Sequence, residues 1–342
     1  MKHSVMDRSF SPFYFPTNAV LLDDDPGFLK HFSLLLAPRL PCRSFSSVNQ
    51  ALQVINAQTT MTNRFNEFTN VTLLDDVEER VFVDLNKLHR LLYDANRFSQ
   101  ISVVIIDYDM PEMNGIEVCK RIRNPEIKKI LLTGKADEKI AVEAFNAGLI
   151  HQYIRKNNSE VDILLNQAIT KLQLEYFMEI TKPIQILLAD STGSFGSNTD
   201  FNNALSTVLN DNKYIEYYLW EQPKGILMLD ALARTGFLFV LSKEVMKTQF
   251  EIAEASDAPT ELLQLINDGA HLAWFPTPDG YFTRECLPDW RKYIYPANVA
   301  RENEKFLCSF VKPAPLPALA TDRISSFNAY LEIFDAEYAK KK

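Results

Sequence analysis

Five polar side chains stand where apolar runs stop. Asp23 and Asp24 follow Ala19-Val20-Leu21-Leu22, and Asp107 ends Val103-Val104-Ile105-Ile106. Thr133 closes Lys129-Ile130-Leu131-Leu132, and Lys156 lies just past Tyr153-Ile154-Arg155. Three carboxylates, a hydroxyl and an amine suit phosphate chemistry. Carboxylates held close repel one another unless a divalent cation joins them, and oxygen-only donors at an open site favour Mg2+. With cation and lysine offsetting the charge of an incoming phosphoryl group, one carboxylate can act as nucleophile and carry an aspartyl phosphate. Each residue alone has a plainer meaning. An acidic triplet such as 23–25 is usually a helix N-cap, a Thr-Gly pair a turn, and a lone lysine a solvated charge.

The surrounding pattern says what must position these groups. The run ending at Leu22 reads as a buried strand, and Pro26 after three aspartates reads as a helix start, with Asp25 as the capping member. Phe28, Leu29, Phe32 and Leu35 recur at helical spacing. A second strand is expected at 42–45 and a second helix at 48–55. A third strand, 102–107, ends at Asp107 before Met110-Pro111 and Gly115 break the run. Then follow a helix over 115–123, strand 129–133, helix 138–147, strand 151–155 and a long helix 162–181. Strands alternating with helices give βαβ units and a doubly wound parallel sheet. In such a sheet the carboxyl ends of the strands face one crevice, which gathers the five residues.

Here the chain resembles the response regulator receiver domain, the phospho-acceptor module of two-component signalling. The resemblance covers about residues 18–175. It rests on five elements in order: Leu22-Asp23-Asp24-Asp25-Pro26, Asp107 through Gly115, Leu131-Leu132-Thr133-Gly134-Lys135-Ala136, Ala147-Gly148 and Tyr153-Ile154-Arg155-Lys156. It implies a flavodoxin-like fold of five parallel strands in the order 2-1-3-4-5. By the resemblance Asp107 is the phosphoacceptor. Asp24 binds Mg2+ directly, Asp23 largely through water, and the Asp109 backbone carbonyl supplies a further ligand. Thr133 bonds a phosphoryl oxygen and moves inward, Lys156 pairs with the phosphoryl group, and Tyr153 changes rotamer with Thr133. The implied partners are a sensor histidine kinase or phosphotransfer protein and a second copy of the chain. The dimer or output face would be Ile140, Ala144, Ala147, Tyr153 and the last long helix.

The departures from the family are specific. Residues 57–100 form an insertion, read as added helix and loop from the helical pattern of Val81, Leu85, Leu88, Leu92 and Tyr93. Asn157 stands where receivers have proline after the lysine, so a cis bond there becomes costly. Asp109 and Lys135 occupy positions that tune phosphoryl-group lifetime and are expected to pair across the site mouth.

Composition narrows the class. The 342 residues allow two domains, and 46% hydrophobic against 23% charged is ordinary for a globular protein. No apolar run reaches the roughly 18 residues that span a bilayer, and no signal-peptide core follows Met1. Cys42, Cys119, Cys286 and Cys308 lack metal-ligand spacing and read as reduced thiols of a cytoplasmic protein. A net charge of −8 gives no global attraction for nucleic acid.

Residues 1–17 read as an irregular lead-in, 18–182 as the receiver and 183–342 as an α+β output domain. Within the last, a strand is expected at 184–188 and a helix at 201–209. An antiparallel meander is expected from 214–220, 226–229 and 237–241, helices at 245–254 and 260–266, and a strand at 271–275. Residues 276–322 read as irregular, and 324–338 as a closing helix. His271 is expected to be a satisfied core histidine. Gly193-Ser194-Phe195-Gly196 lacks the Lys-Ser/Thr of a phosphate-binding loop. This half has 21 acidic and 15 basic residues, a net of −6, which disfavours DNA. The expected output is a protein-interaction module; the alternatives are a nucleotide-binding or enzymatic domain, or a DNA binder. As a whole, the chain is similar to bacterial response regulators with an inserted receiver and an uncharacterised C-terminal domain, one of which serves quorum sensing.

Overall fold

The computed structural model describes residues 10–36, 40–60, 62–74, 78–134, 138–189, 199–297 and 306–339. Among the described residues there are two five-stranded sheets and two two-stranded ones. The chain forms two compact units. One comprises 15–71, 90–184 and 327–342, the other 1–14, 72–89 and 185–326. The units are thus interleaved in sequence, and neither is one of the contiguous segments 18–182 and 183–342.

The first unit carries a parallel sheet in spatial order Cys42–Phe45, Asn18–Leu22, Ile101–Asp107, Lys128–Thr133, Gln152–Arg155. This is the order 2-1-3-4-5 expected for the flavodoxin-like receiver. The three central strands are buried at every position because helices cover both faces. Val20, Leu22, Val104, Ile106 and Leu131 pack on one side with Val118, Cys119 and Ile122. Ala19, Leu21, Ile105 and Leu132 pack on the other with Leu165, Ile169 and Leu172 of the long helix Val161–Ile180.

Helix starts follow the local chemistry. Asp25 caps Pro26–Leu35, its carboxylate accepting the Gly27 N–H at 2.7 Å, with Pro26 in the first turn. Asn114 caps Gly115–Arg121 by accepting from Glu117 N at 2.9 Å. The helix Glu138–Asn146 stops at Gly148, whose φ of 69° is left-handed; Leu149 N returns to Ala144 O at 3.0 Å.

The insertion differs from expectation. It holds paired strands Thr69–Leu74 and Glu78–Val83, then a single helical turn Leu85–Leu88 and two 3-10 turns, His89–Tyr93 and Ala95–Ser99. Val81 therefore lies in a strand. Arg80-Val81-Phe82-Val83 has the β-branched and aromatic content that favours extended backbone, and Asp84 then caps the turn. The closing helix Phe327–Ala339 belongs to this first unit. Phe327 and Tyr330 pack their rings on Phe98, and Tyr330 Oη donates to Asn18 Oδ1 at 3.0 Å.

The second unit carries an antiparallel sheet in the order Phe13–Tyr14, Tyr214–Trp220, Gly225–Asp230, Thr235–Ser242, Phe306–Val311. The expected meander forms its centre. Its two edges correct the sequence reading. The supposed lead-in contributes an edge strand, Phe13 pairing with Tyr218. The supposed irregular stretch contributes Phe306–Val311, pairing with Thr235–Ser242, and also Ile294–Pro296, pairing with His271–Ala273. The expected strand over 184–188 is instead the helix Lys182–Ala189. Its short apolar run is ambiguous by period alone, and Pro183 fits a first helical turn. Helices Thr199–Asn212, Lys243–Ala255 and Thr260–Asn267 follow expectation closely. His271 is half-buried and pairs with Asp268 at 2.7 Å at the surface, so it is not a core histidine.

Candidate functional site

Sheet register brings the polar residues together. Leu22 lies opposite Ile106, so Asp23 leaves its strand beside Asp107. Asp107 lies opposite Leu132, one residue before Thr133, and Thr133 lies opposite Arg155, one residue before Lys156. The Lys156 N–H donates to Thr133 O at 3.0 Å, which fixes the start of the lysine loop. The cis peptides among the described residues precede Pro223 and Pro313, so the Lys156–Asn157 bond is trans.

Asp23, Asp24 and Asp107 each offer a carboxylate oxygen within 4.8 Å of the others. Among the described residues this is the cluster of His, Cys, Asp or Glu with such geometry. Asp23 and Asp107 are buried, and Asp24 is exposed. Lys156 Nζ sits 2.6 Å from Asp23 Oδ2 and 2.9 Å from Asp107 Oδ1, so one ammonium bridges two of the three carboxylates. Asp23 Oδ1 accepts the Asp25 N–H at 3.0 Å. The three carboxylates form an all-oxygen donor set that fits a hard divalent cation.

Burial pushes the Asp107 carboxyl above its usual range, and the nearby Asp23 charge adds to that. Lys156 and the Tyr108 N–H act in the opposite direction. For Lys156 burial acts downward, but hydrogen bonds to Asp23 and Asp107 and their charges outweigh it and hold the amine above its usual value.

Thr133 is fully buried, and its Oγ1 has no hydrogen-bond partner among the described residues. A buried hydroxyl without a partner costs free energy, so Thr133 is poised to accept or donate a new bond. Tyr153 is half-buried, with its ring edge toward Phe145 at 6.5 Å. Asp109 is exposed. Lys135 lies outside the described residues, so the expected Asp109–Lys135 pair is not described; the Gly193 to Gly196 loop also lies outside them. Arg155 is exposed and pairs with Glu138.

Gly115 shows how tightly the loop after Asp107 is packed. A Cβ there would lie 2.4 Å from the Asp107 carbonyl oxygen and 2.8 Å from Leu131. Phe28, on the helix Pro26–Leu35, joins the group. Its ring centroid is 4.6 Å from Lys156 Nζ. In the sequence it is one member of an apolar helical stripe, and nothing in that periodicity reveals a ring turned toward a cation.

These features define a receiver. The family model for the response regulator receiver domain matches residues 68–169. That span holds Asp107, Thr133 and Lys156 but not Asp23 and Asp24, which the insertion separates in sequence and the sheet reunites. The chain belongs to the response regulators: it is 32% identical to LqsR of Legionella pneumophila, a response regulator of known structure, over 96% of this chain and 98% of that one, with a TM-score of 0.79. An adenylate cyclase structure from Rhodopirellula baltica is 21% identical over 50% of this chain and 97% of its own, at a TM-score of 0.35. A receiver of an HD-domain protein from Pseudomonas fluorescens is 21% identical over 48% and 91%, at 0.33. No curated protein sequence matches the chain. No helix among the described residues is long and apolar enough to cross a membrane.

Proposed function

We propose that the chain is a phosphorylation-switched regulator in which Asp107 accepts a phosphoryl group from a sensor histidine kinase or phosphotransfer protein. The observation that carries this reading is the buried Asp107 held 2.9 Å from Lys156 beside Asp23 and Asp24, at the carboxyl ends of the sheet. Mg2+ would be held by Asp24, Asp107 and the Asp109 backbone carbonyl, and by Asp23 through water. When bound it would offset charge on phosphoryl oxygens. An Asp107 carboxylate oxygen attacks phosphorus as the N–P bond of a phosphohistidine breaks. The imidazole leaves with the electron pair, and an aspartyl phosphate remains. Lys156 shifts its ammonium from carboxylate to phosphoryl oxygen. The Thr133 hydroxyl then has a bond to make and is drawn inward, and Tyr153 follows.

The added charge, about −2 at neutral pH, biases a two-state surface around helix Glu138–Asn146 and strand Gln152–Arg155. Ile140, Val142 and Phe145 stand 37–47% exposed on that helix and support a homodimer face. Ala144, counted in that face from sequence, is buried and points to the core. The switching part is assigned to 18–182 with its insertion, and the output, a protein-interaction relay, to 183–342 apart from the closing helix Phe327–Ala339, which packs in the unit of the parallel sheet. The setting is cytoplasmic, and a role in quorum sensing fits the likeness of the whole chain. Intact-mass measurement with phosphoramidate and Mg2+ tests the reading. It predicts one added phosphoryl group on the wild type and none on Asp107→Asn; equal labelling of both would refute it.

A further inference from the structure

Lys156 has a third neighbour that the acceptor chemistry leaves unused. Its ammonium touches Asp23 on one side and Asp107 on another, and the Phe28 ring lies 4.6 Å away. An ammonium over an aromatic face is attracted by the ring quadrupole. The ring also withholds water from that side of the amine, whose side chain is 26% exposed.

Phe28 is well placed to hold a position. It stacks on Phe32 with centroids 4.8 Å apart and planes at 27°. Phe32 is fully buried in the core beneath the sheet, with Ala19, Leu21 and Ile105. The helix that carries both rings is started by Asp25 and Pro26, directly after Asp23 and Asp24. One short segment therefore supplies an acidic group and a ring to the same ammonium. The lysine is in turn a long side chain on a loop where Asn157 gives no fixed φ. Four rotatable bonds must be held if the amine is to meet a phosphoryl oxygen on arrival.

We propose that Phe28 is a positioning residue that holds the Lys156 ammonium against Asp107 through a cation–π contact, so the amine is preset before the phosphoryl group arrives. This rests on Asp107 being the acceptor. The ring acts through Lys156.

The test uses the full chain with phosphoramidate and Mg2+, reading the rate of phosphoryl gain by intact mass. Phe28→Leu and Phe28→Met keep an apolar side chain and lose the ring; Phe28→Tyr keeps it. The two ring-less variants are expected to be phosphorylated about fivefold more slowly, and Phe28→Tyr within about twofold of the wild type. The second readout needs neither metal nor phosphate. In protein with 13C-labelled lysine, the Lys156 ε-methylene resonance, assigned with Lys156→Arg, should be shifted upfield by the ring. It should move downfield in Phe28→Leu and Phe28→Met and stay upfield in Phe28→Tyr. Wild-type rates in the ring-less variants, or an unmoved Lys156 resonance, would overturn the proposal. If Phe28→Leu fails to fold, Phe28→Met decides. Asp107→Asn separates the two readings. If it gains phosphate like the wild type, the acceptor reading fails; if it is silent while Phe28→Leu and Phe28→Met match the wild type, only the role of Phe28 fails.

Discussion

In the parallel sheet every strand ends on the same side, and Asp23, Asp107, Thr133 and Lys156 all emerge there. In the antiparallel sheet neighbouring strands end on opposite sides, and Tyr214–Trp220, Gly225–Asp230 and Thr235–Ser242 follow one another through short turns. Asp107 and Asp230 show what this does to a carboxylate. Both close an apolar strand. Asp230 is consumed by its hairpin: Oδ1 accepts from Leu232 N at 2.9 Å and Arg234 N at 3.0 Å, and Oδ2 pairs with Arg234 Nε at 2.6 Å. Asp107 instead meets a lysine from two strands away. Topology decides whether a strand-end acid serves a turn or is left for chemistry.

That contrast can be tested, the largest effect first. Asp107→Asn should reduce phosphoryl labelling to background while leaving the melting of the antiparallel unit in place, measured by intact mass and by tryptophan fluorescence. Phe239→Ala should do the reverse. Phe239 is fully buried and stacks on Tyr295 at 4.9 Å. Its loss should cost about 3–5 kcal/mol in urea unfolding, with the labelling rate unchanged below the transition.

Acid should also act on the antiparallel unit through His89. This residue is buried, stacks on Trp220 at 3.7 Å, and its Nε2 lies 2.9 Å from Leu219 O. Burial lowers its pKa to about 4, against the upward pull of the Leu219 carbonyl and Asp84. The unfolded chain, near 6.5, binds the proton first. Stability is therefore full above pH 6.5 and declines as pH falls to about 4, by roughly 3 kcal/mol. His89→Gln should flatten this part of the profile, followed by Trp220 fluorescence. The smallest effect expected is for Asp25→Ala, which removes the cap of the helix bearing Phe28. It should cost about 1 kcal/mol in urea unfolding, and a cost under a few tenths would show the cap to be idle.

The same contrast explains what could be read from the chain. Strands buried on both faces carry apolar runs that stop at a polar residue, so Ala19 to Leu22, Val103 to Ile106 and Ile130 to Leu132 announce their type. Edge strands carry little signal. Phe13–Tyr14 is two residues long, and Phe306–Val311 is masked by the prolines and aromatics around it. Ile184-Gln185-Ile186 alternates like a strand and folds as a helix because local period is weak over so few residues. The acids, hydroxyl and lysine of the site were legible from their places at strand ends. Phe28 was not, because its contact with Lys156 joins residues far apart in sequence, and an aromatic in a helical stripe usually means only packing.

The interleaving of the units has a consequence for how such a protein can arise and be rearranged. The first unit needs 15–71, 90–184 and 327–342, and the second needs 1–14, 72–89 and 185–326. No single cut in the chain leaves both whole. A fusion or exchange at one breakpoint would separate the closing helix or the first edge strand from the unit it packs in. Exchanging either unit for another requires several coordinated joins.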